Sequence, residues 1–116
     1  MSVVDDDESI REALPDLLKE LGFSARTFAS AEAFLASGFD STTNCLLLDI
    51  SMPGMSGPEL QLELTRRERA IPIVFITARP DDTLRRQLLE LGAIDFLIKP
   101  FTEQALKGAL DKALGN

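Results

Sequence analysis

A doubly wound α/β fold, (βα)5 around a five-stranded parallel sheet, is predicted by three features of the 116-residue sequence. Five short apolar runs are spread along it: Ser2–Val4, Ser24–Phe28, Cys45–Leu48, Ile73–Thr77 and Asp95–Ile98. Segments with helical spacing of apolar residues separate them. The runs are largely continuous rather than alternating, as expected of parallel strands covered on both faces.

The helical segments follow in order. After the first run, Ile10, Leu14, Leu17, Leu18 and Leu21 share one face, and Gly22 suits the C-terminal cap. Pro15 costs this helix a hydrogen bond, about 3 kcal/mol, but flanks the apolar stripe, so a kink rather than a break is expected. Ser30 caps a short second helix through Phe34-Leu35. In the third segment Leu60, Leu62 and Leu64 alternate as a strand would. Ser56 and Glu59, however, make a capping box, and parallel strands need a crossover of about a dozen residues. A helix is therefore expected, with Leu62 unexplained. The fourth begins near Asp82, places Leu84, Leu88 and Leu91 on one face and ends at Gly92. The fifth follows Thr102 and carries Ala105, Leu106, Ala109, Leu110, Ala113 and Leu114 as its stripe.

This pattern fills one domain, 1–116, with no repeat or low-complexity segment. No apolar stretch approaches the roughly 20 residues of a membrane span, and the N-terminus lacks a secretory signal pattern, so a cytoplasmic protein is expected. A net charge of −7 argues against direct nucleic-acid binding. The local arginine groups, Arg66, Arg67 and Arg69, then Arg79, Arg85 and Arg86, read as solvated helix faces. The single cysteine, Cys45, lies in an apolar run and reads as a small core residue. The chain has no histidine, which excludes Ser-His-Asp and Cys-His catalysis and histidine zinc sites.

Chemistry is left to carboxylates, hydroxyls, lysine and a hard metal. Ligands of open parallel sheets bind beyond the carboxyl ends of the strands, near the point where strand order reverses. If the first, third, fourth and fifth strands are neighbours, their ends gather Asp5 and Asp6, Asp49, Thr77 and Lys99. Three carboxylates in one pocket repel, and Mg²⁺ relieves that repulsion while leaving room for water and phosphate oxygens. Lysine and hydroxyl add donors for a phosphoryl group. The set reads as an acidic Mg²⁺ site with an aspartate nucleophile. Each part alone has a plainer reading: acidic residues before a helix, a turn aspartate, a strand threonine, a loop lysine. Their conjunction is what carries the chemistry.

These residues resemble the receiver domain of bacterial two-component response regulators, the CheY-like family, over essentially the whole chain. The likeness rests on Val3-Val4-Asp5-Asp6-Asp7, Leu46-Leu47-Leu48-Asp49-Ile50-Ser51-Met52-Pro53-Gly54-Met55-Ser56-Gly57, Ile76-Thr77-Ala78, Gly92-Ala93 and Phe96-Leu97-Ile98-Lys99-Pro100-Phe101. The resemblance implies the flavodoxin-like strand order 2-1-3-4-5. It implies that Asp49 accepts the phosphoryl group from a sensor histidine kinase. Asp6, Asp49 and the Ser51 carbonyl would ligate Mg²⁺, with Asp5 acting largely through water. Lys99 would pair with Asp49 and then with the phosphoryl oxygens. Thr77 would bind the phosphoryl group, Phe96 would change rotamer with it, and the Lys99-Pro100 bond would be cis.

The resemblance further implies a switch rather than a turnover enzyme. Its output surface is the face of the fourth helix, fifth strand and fifth helix, with a receiver–receiver dimer on phosphorylation. Phe96 stands where tyrosine is common, so switching would work through packing alone. Ser51 and Arg79 occupy the two positions that vary beside the site; Arg79 either shields the phosphoryl group or faces solvent. Ser-Ala-Glu-Ala-Phe-Leu at 30–35 is similar to receivers that precede a LuxR-type helix-turn-helix domain, so the chain is expected to be a stand-alone receiver or a piece of a transcription factor. Two rivals compete. A haloacid-dehalogenase-like phosphatase needs an aspartate where Ser51 stands, and a pseudo-receiver would not use Asp6, Asp49, Thr77 and Lys99 together.

Overall fold

Five strands, β1 (Ser2–Val4), β2 (Arg26–Phe28), β3 (Leu46–Asp49), β4 (Ile73–Thr77) and β5 (Asp95–Ile98), alternate with five helices in the computed structural model, which describes residues 1–115. The helices are α1 (Glu8–Glu20), α2 (Ala31–Ser37), α3 (Gly57–Arg66), α4 (Asp82–Glu90) and α5 (Glu103–Leu114), with a 3-10 turn at Phe39–Ser41. All strand pairs are parallel, in the order β2-β1-β3-β4-β5 expected from the sequence.

The continuous apolar runs are explained by two cores, one on each side of the sheet. Successive side chains of a strand point to opposite faces. Accordingly Val4, Leu46, Leu48 and Phe75 pack toward α2, α3 and α4, where they meet Phe34, Leu60, Leu64 and Leu88. Val3, Leu47, Val74 and Ile76 pack toward α1 and α5, where they meet Leu14, Leu18, Leu106 and Leu110. Cys45 is fully buried in this second core, and burial pushes its thiol up to about 11, as befits a packed apolar residue.

Boundaries shift slightly from the sequence reading. β2 starts at Arg26 rather than Ser24, and β3 includes Asp49 as its last residue rather than stopping at Leu48. Asp7 caps α1 by accepting the Ser9 N–H at 2.9 Å, and the helix continues through Pro15 without a break. Gly22 follows the C-cap with φ +92°, the left-handed conformation a glycine adopts at low cost. Ser30 caps α2, which runs on to Ser37, two residues beyond Leu35. The capping box of Ser56 and Glu59 is present, and α3 buries Leu60 and Leu64 while Leu62 is 55% exposed, so the strand-like alternation has no structural counterpart.

Two stripe residues fall outside the core. Leu91 is the C-cap of α4, beyond its last full turn, and is 54% exposed; Leu88 is the buried anchor of that helix. Ala105, in the first turn of α5 at the edge of its stripe, is exposed, whereas Leu106, Ala109 and Leu110 are buried.

All six arginines of the two local groups are exposed, as expected from the sequence, and several also have partners within the chain. Arg67 and Arg69 approach the buried carboxylate of Asp40 at 3.7 and 3.4 Å, and Arg66 and Arg67 both bind Glu63. Arg85 lies over the Phe96 ring at 5.7 Å. Among the described residues no helix is long and apolar enough to cross a membrane.

Candidate functional site

Strand order reverses between β1 and β3, and the acidic residues sit there. Asp5 directly follows β1, and Asp49 ends β3 opposite Ile76 of β4. Carboxylate oxygens of Asp5, Asp6 and Asp49 lie within 4.8 Å of one another. Asp5 is fully buried and Asp49 is 6% exposed, while Asp6 opens to solvent. Asp5 is built in on several sides. Its Oδ1 accepts the Asp7 N–H at 2.9 Å, and its carbonyl oxygen accepts Arg11 Nη1 at 2.9 Å.

Lys99 reaches this cluster from the end of β5. Its N–H donates to the Thr77 carbonyl at 2.8 Å, which continues the β4–β5 ladder, and the Lys99–Pro100 bond is cis. The ammonium lies 2.9 Å from Asp5 Oδ2 and 3.9 Å from Asp49 Oδ1. The nearer partner is thus Asp5, not Asp49 as the resemblance implies. Among the described residues no donor other than this ammonium reaches Asp5 Oδ2.

The electrostatics follow from that crowding. Burial, then the charge of Asp5, pushes the Asp49 carboxyl up to about 7 from a usual 3.8, against the pull of Lys99. Burial works against the Lys99 ammonium, yet Asp5 first, then Asp49 and Asp7, raise its pKa above the usual value. One lysine does not balance three carboxylates. The donor set therefore fits a small hard cation: all oxygens, close together, partly open to solvent and short of positive charge.

A cavity of about 330 Å3 opens above Asp49 and is lined by Ser51, Ala78, Arg79 and Lys99. Ser51 and Arg79 thus flank the site, as the sequence reading expects. The segment that carries Ser51 is rooted by the Gly57 N–H, which donates to the Ile50 carbonyl at 3.0 Å. A Cβ on Gly57 would overlap the Asp49 carbonyl oxygen, main chain that cannot swing aside. Gly57→Ala is expected to cost about 1–3 kcal/mol, read as a lower denaturation midpoint in urea with unchanged slope.

Thr77 closes β4 beside this cluster. Its hydroxyl donates to the Arg79 carbonyl and accepts the Arg79 N–H, both at 3.0 Å, which holds the turn leading toward α4. Thr77 and Phe96 line a neighbouring cavity of about 140 Å3 with Ile50, Leu84 and Arg85. Phe96 is half-buried and stacks on Phe75 at 5.5 Å between ring centres. The structure thus gathers Asp5, Asp6, Asp49 and Lys99 at one point, sets Ser51 and Arg79 on its rim, and places Thr77 and Phe96 around the adjoining space. Sequence reasoning missed Arg11 and Glu32, whose hydrogen bonds hold the two acidic loops. Neither carries a local signal, since each reads as an ordinary helix-surface charge.

Fold and site together define an open α/β domain with an acidic, lysine-bearing centre at its switch point. The sequence matches the family described as the response regulator receiver domain over residues 1–111, and the chain belongs to that family. It is a receiver domain of two-component systems. It is similar to the response regulator protein TodT of Pseudomonas putida, 40% identical over 112 residues that cover 97% of this chain and 49% of TodT. It is also similar to the transcriptional regulatory protein FixJ of Azorhizobium caulinodans, 39% identical over 113 residues covering 97% of this chain and 54% of FixJ. Among solved structures, that of the response regulator StyR superposes with a TM-score of 0.90 at 49% identity, covering 98% of this chain and 58% of that one. The chain spans about half the length of the curated relatives it matches.

Proposed function

We propose that this chain accepts a phosphoryl group on Asp49 from a sensor histidine kinase and uses it to switch a binding surface. The observation that carries this is the convergence of Asp5, Asp6, Asp49 and Lys99 on one partly open point. A carboxylate oxygen of Asp49 attacks phosphorus, a new P–O bond forms, and the bond to the leaving imidazole of the kinase breaks. Asp6, Asp49 and the Ser51 carbonyl would hold Mg²⁺, with Asp5 beside them, and the cation would supply charge stabilisation to the transferring phosphoryl group. Lys99 keeps its proton and faces the developing charge as a fixed cation. The chain acts on itself and is a switch rather than a turnover enzyme.

The response runs through Thr77. A phosphoryl group adds charge and acceptor oxygens, which compete for the Thr77 hydroxyl now bound to Arg79. Movement of Thr77 changes the lining of the space it shares with Phe96, and the ring repacks. Phe96 has no hydroxyl to anchor either position, so packing alone sets the balance. The altered surface is that of α4, β5 and α5, which would support a receiver–receiver dimer. The relatives' greater length and FixJ's name as a transcriptional regulatory protein support an output segment that binds DNA, of the LuxR-type helix-turn-helix class; the receiver would not contact DNA itself. A cytoplasmic setting follows from that role.

Intact mass after incubation with acetyl phosphate and Mg²⁺ tests the proposal. The native chain is expected to gain one phosphoryl group, and Asp49→Asn none. Labelling of both equally would remove Asp49 from the role. No labelling of either, beside a receiver that labels, would favour a partner-binding pseudo-receiver, and sustained release of phosphate from an ester would favour a phosphatase.

A further inference from the structure

We infer that Glu32 of α2 is a positioning residue for the loop after Asp49, holding the Ser51–Met55 segment in the shape the Mg²⁺ site requires; this rests on the reading of that site given above. The root of the loop is fixed by main chain. The Ile50 N–H donates to the Ile76 carbonyl at 3.0 Å, and the Gly57 N–H returns to the Ile50 carbonyl. Its tip is held differently. Glu32 Oε2 accepts the Met55 N–H at 3.0 Å, across 23 residues of sequence. Among the described residues this is the one side-chain hydrogen bond joining residues 51–55 to another element.

The anchor behind this bond is firm. Ala31 and Phe34, on either side of Glu32 in α2, are fully buried in the core that also takes up Met52 from the loop. Loop and carboxylate are closely apposed: Gly54 turns with φ +73°, and a Cβ there would come 2.5 Å from Glu32 Oε2. A carboxylate accepting a backbone N–H is a charge-assisted bond, stronger than a neutral one. Glu32 does not line the cavity above Asp49, so its effect passes through the loop. Small displacements of site-bearing segments weaken function well out of proportion to their size.

Glu32 also carries a negative charge that would draw a cation whatever the loop does, so the test separates charge from geometry. Mg²⁺ is titrated calorimetrically into the native chain, Glu32→Ala and Glu32→Gln, with Met55 amide exchange followed by NMR on the same proteins. Glu32→Ala is expected to speed Met55 exchange about tenfold and weaken Mg²⁺ binding about threefold to tenfold, the range of one lost hydrogen bond. Glu32→Gln keeps an acceptor without the charge and is expected to recover most of both. Unchanged Met55 exchange in Glu32→Ala, or faster exchange with unaltered Mg²⁺ affinity, would overturn the inference. So would a glutamine variant as weak as the alanine one, which would reduce Glu32 to a charge. If the native chain itself binds no Mg²⁺, the reading of the site fails, and this inference fails with it.

Discussion

Near pH 8 and without Mg²⁺, Asp49→Asn is expected to be more stable than the native chain by about 2–3 kcal/mol, and near pH 4 the difference is expected to vanish. The cause is a carboxylate held where its charge is unwelcome. Burial and the neighbouring Asp5 lift its pKa from 3.8 to about 7. The sign is opposite to that of a salt-bridged aspartate. Below pH 3.8 Asp49 is protonated whether the chain is folded or not, and it contributes nothing. Between 3.8 and about 7 the folded chain binds a proton that the unfolded chain has lost, so stability falls as pH rises. Above about 7 the full penalty is present. At 1.36 kcal/mol per pKa unit the ceiling is roughly 4 kcal/mol, and relaxation of the site brings it to the lower figure. Asparagine removes the charge and keeps the shape. Urea melts of both proteins at the two pH values check this, and added Mg²⁺ at the higher pH is expected to narrow the gap by binding the native site. A stability difference that does not change with pH would contradict this electrostatic account.

Lys99→Ala is expected to do the reverse, lowering stability by about 3–5 kcal/mol at neutral pH in the absence of Mg²⁺. Its ammonium lies 2.9 Å from Asp5 Oδ2, which is fully buried and has no other directed donor. Removing the lysine strands that oxygen beside Asp49. The stabilisation belongs to the charged lysine, whose pKa is raised in the fold above its usual 10.5. It is therefore fully present below 10.5 and lost only as pH rises through the higher folded value. Mg²⁺ is expected to restore part of the stability of Lys99→Ala, because either cation relieves the carboxylates. Lys99→Arg is expected to fall between, since a planar guanidinium fits poorly where a compact ammonium sits. A loss in Lys99→Ala below about 1 kcal/mol would mean that Asp5 is satisfied by other means.

Much of this site is legible in the sequence because strand ends are legible. An apolar run that stops at Asp49 and gives way to Pro53, Gly54 and Gly57 fixes where the carboxylate emerges, and Val3-Val4 does the same for Asp5 and Asp6. Parallel pairing then brings those ends together. What sequence does not carry is the choice among neighbours a few ångströms apart. Lys99 sits nearer Asp5 than Asp49, a difference of 1.0 Å between 3.9 and 2.9 Å that only packing decides. The Thr77 hydroxyl turns to Arg79, a bond made possible by a turn with no distinctive residues. Leu91 and Ala105 lie on apolar stripes by spacing alone, but each falls at a helix end and is exposed. Glu32 is invisible for a different reason. Its partner is a main-chain N–H, which every sequence offers and none marks.

The central claim is that Asp49 itself carries the phosphoryl group. Treating the acetyl phosphate-labelled chain with borohydride reduces an aspartyl phosphate to homoserine, and peptide mass spectrometry then locates the change. Homoserine at position 49, with Asp5 and Asp6 intact, is the predicted result. Homoserine at position 5 or 6 instead, or an acid-stable phosphate on a serine or threonine, would contradict it.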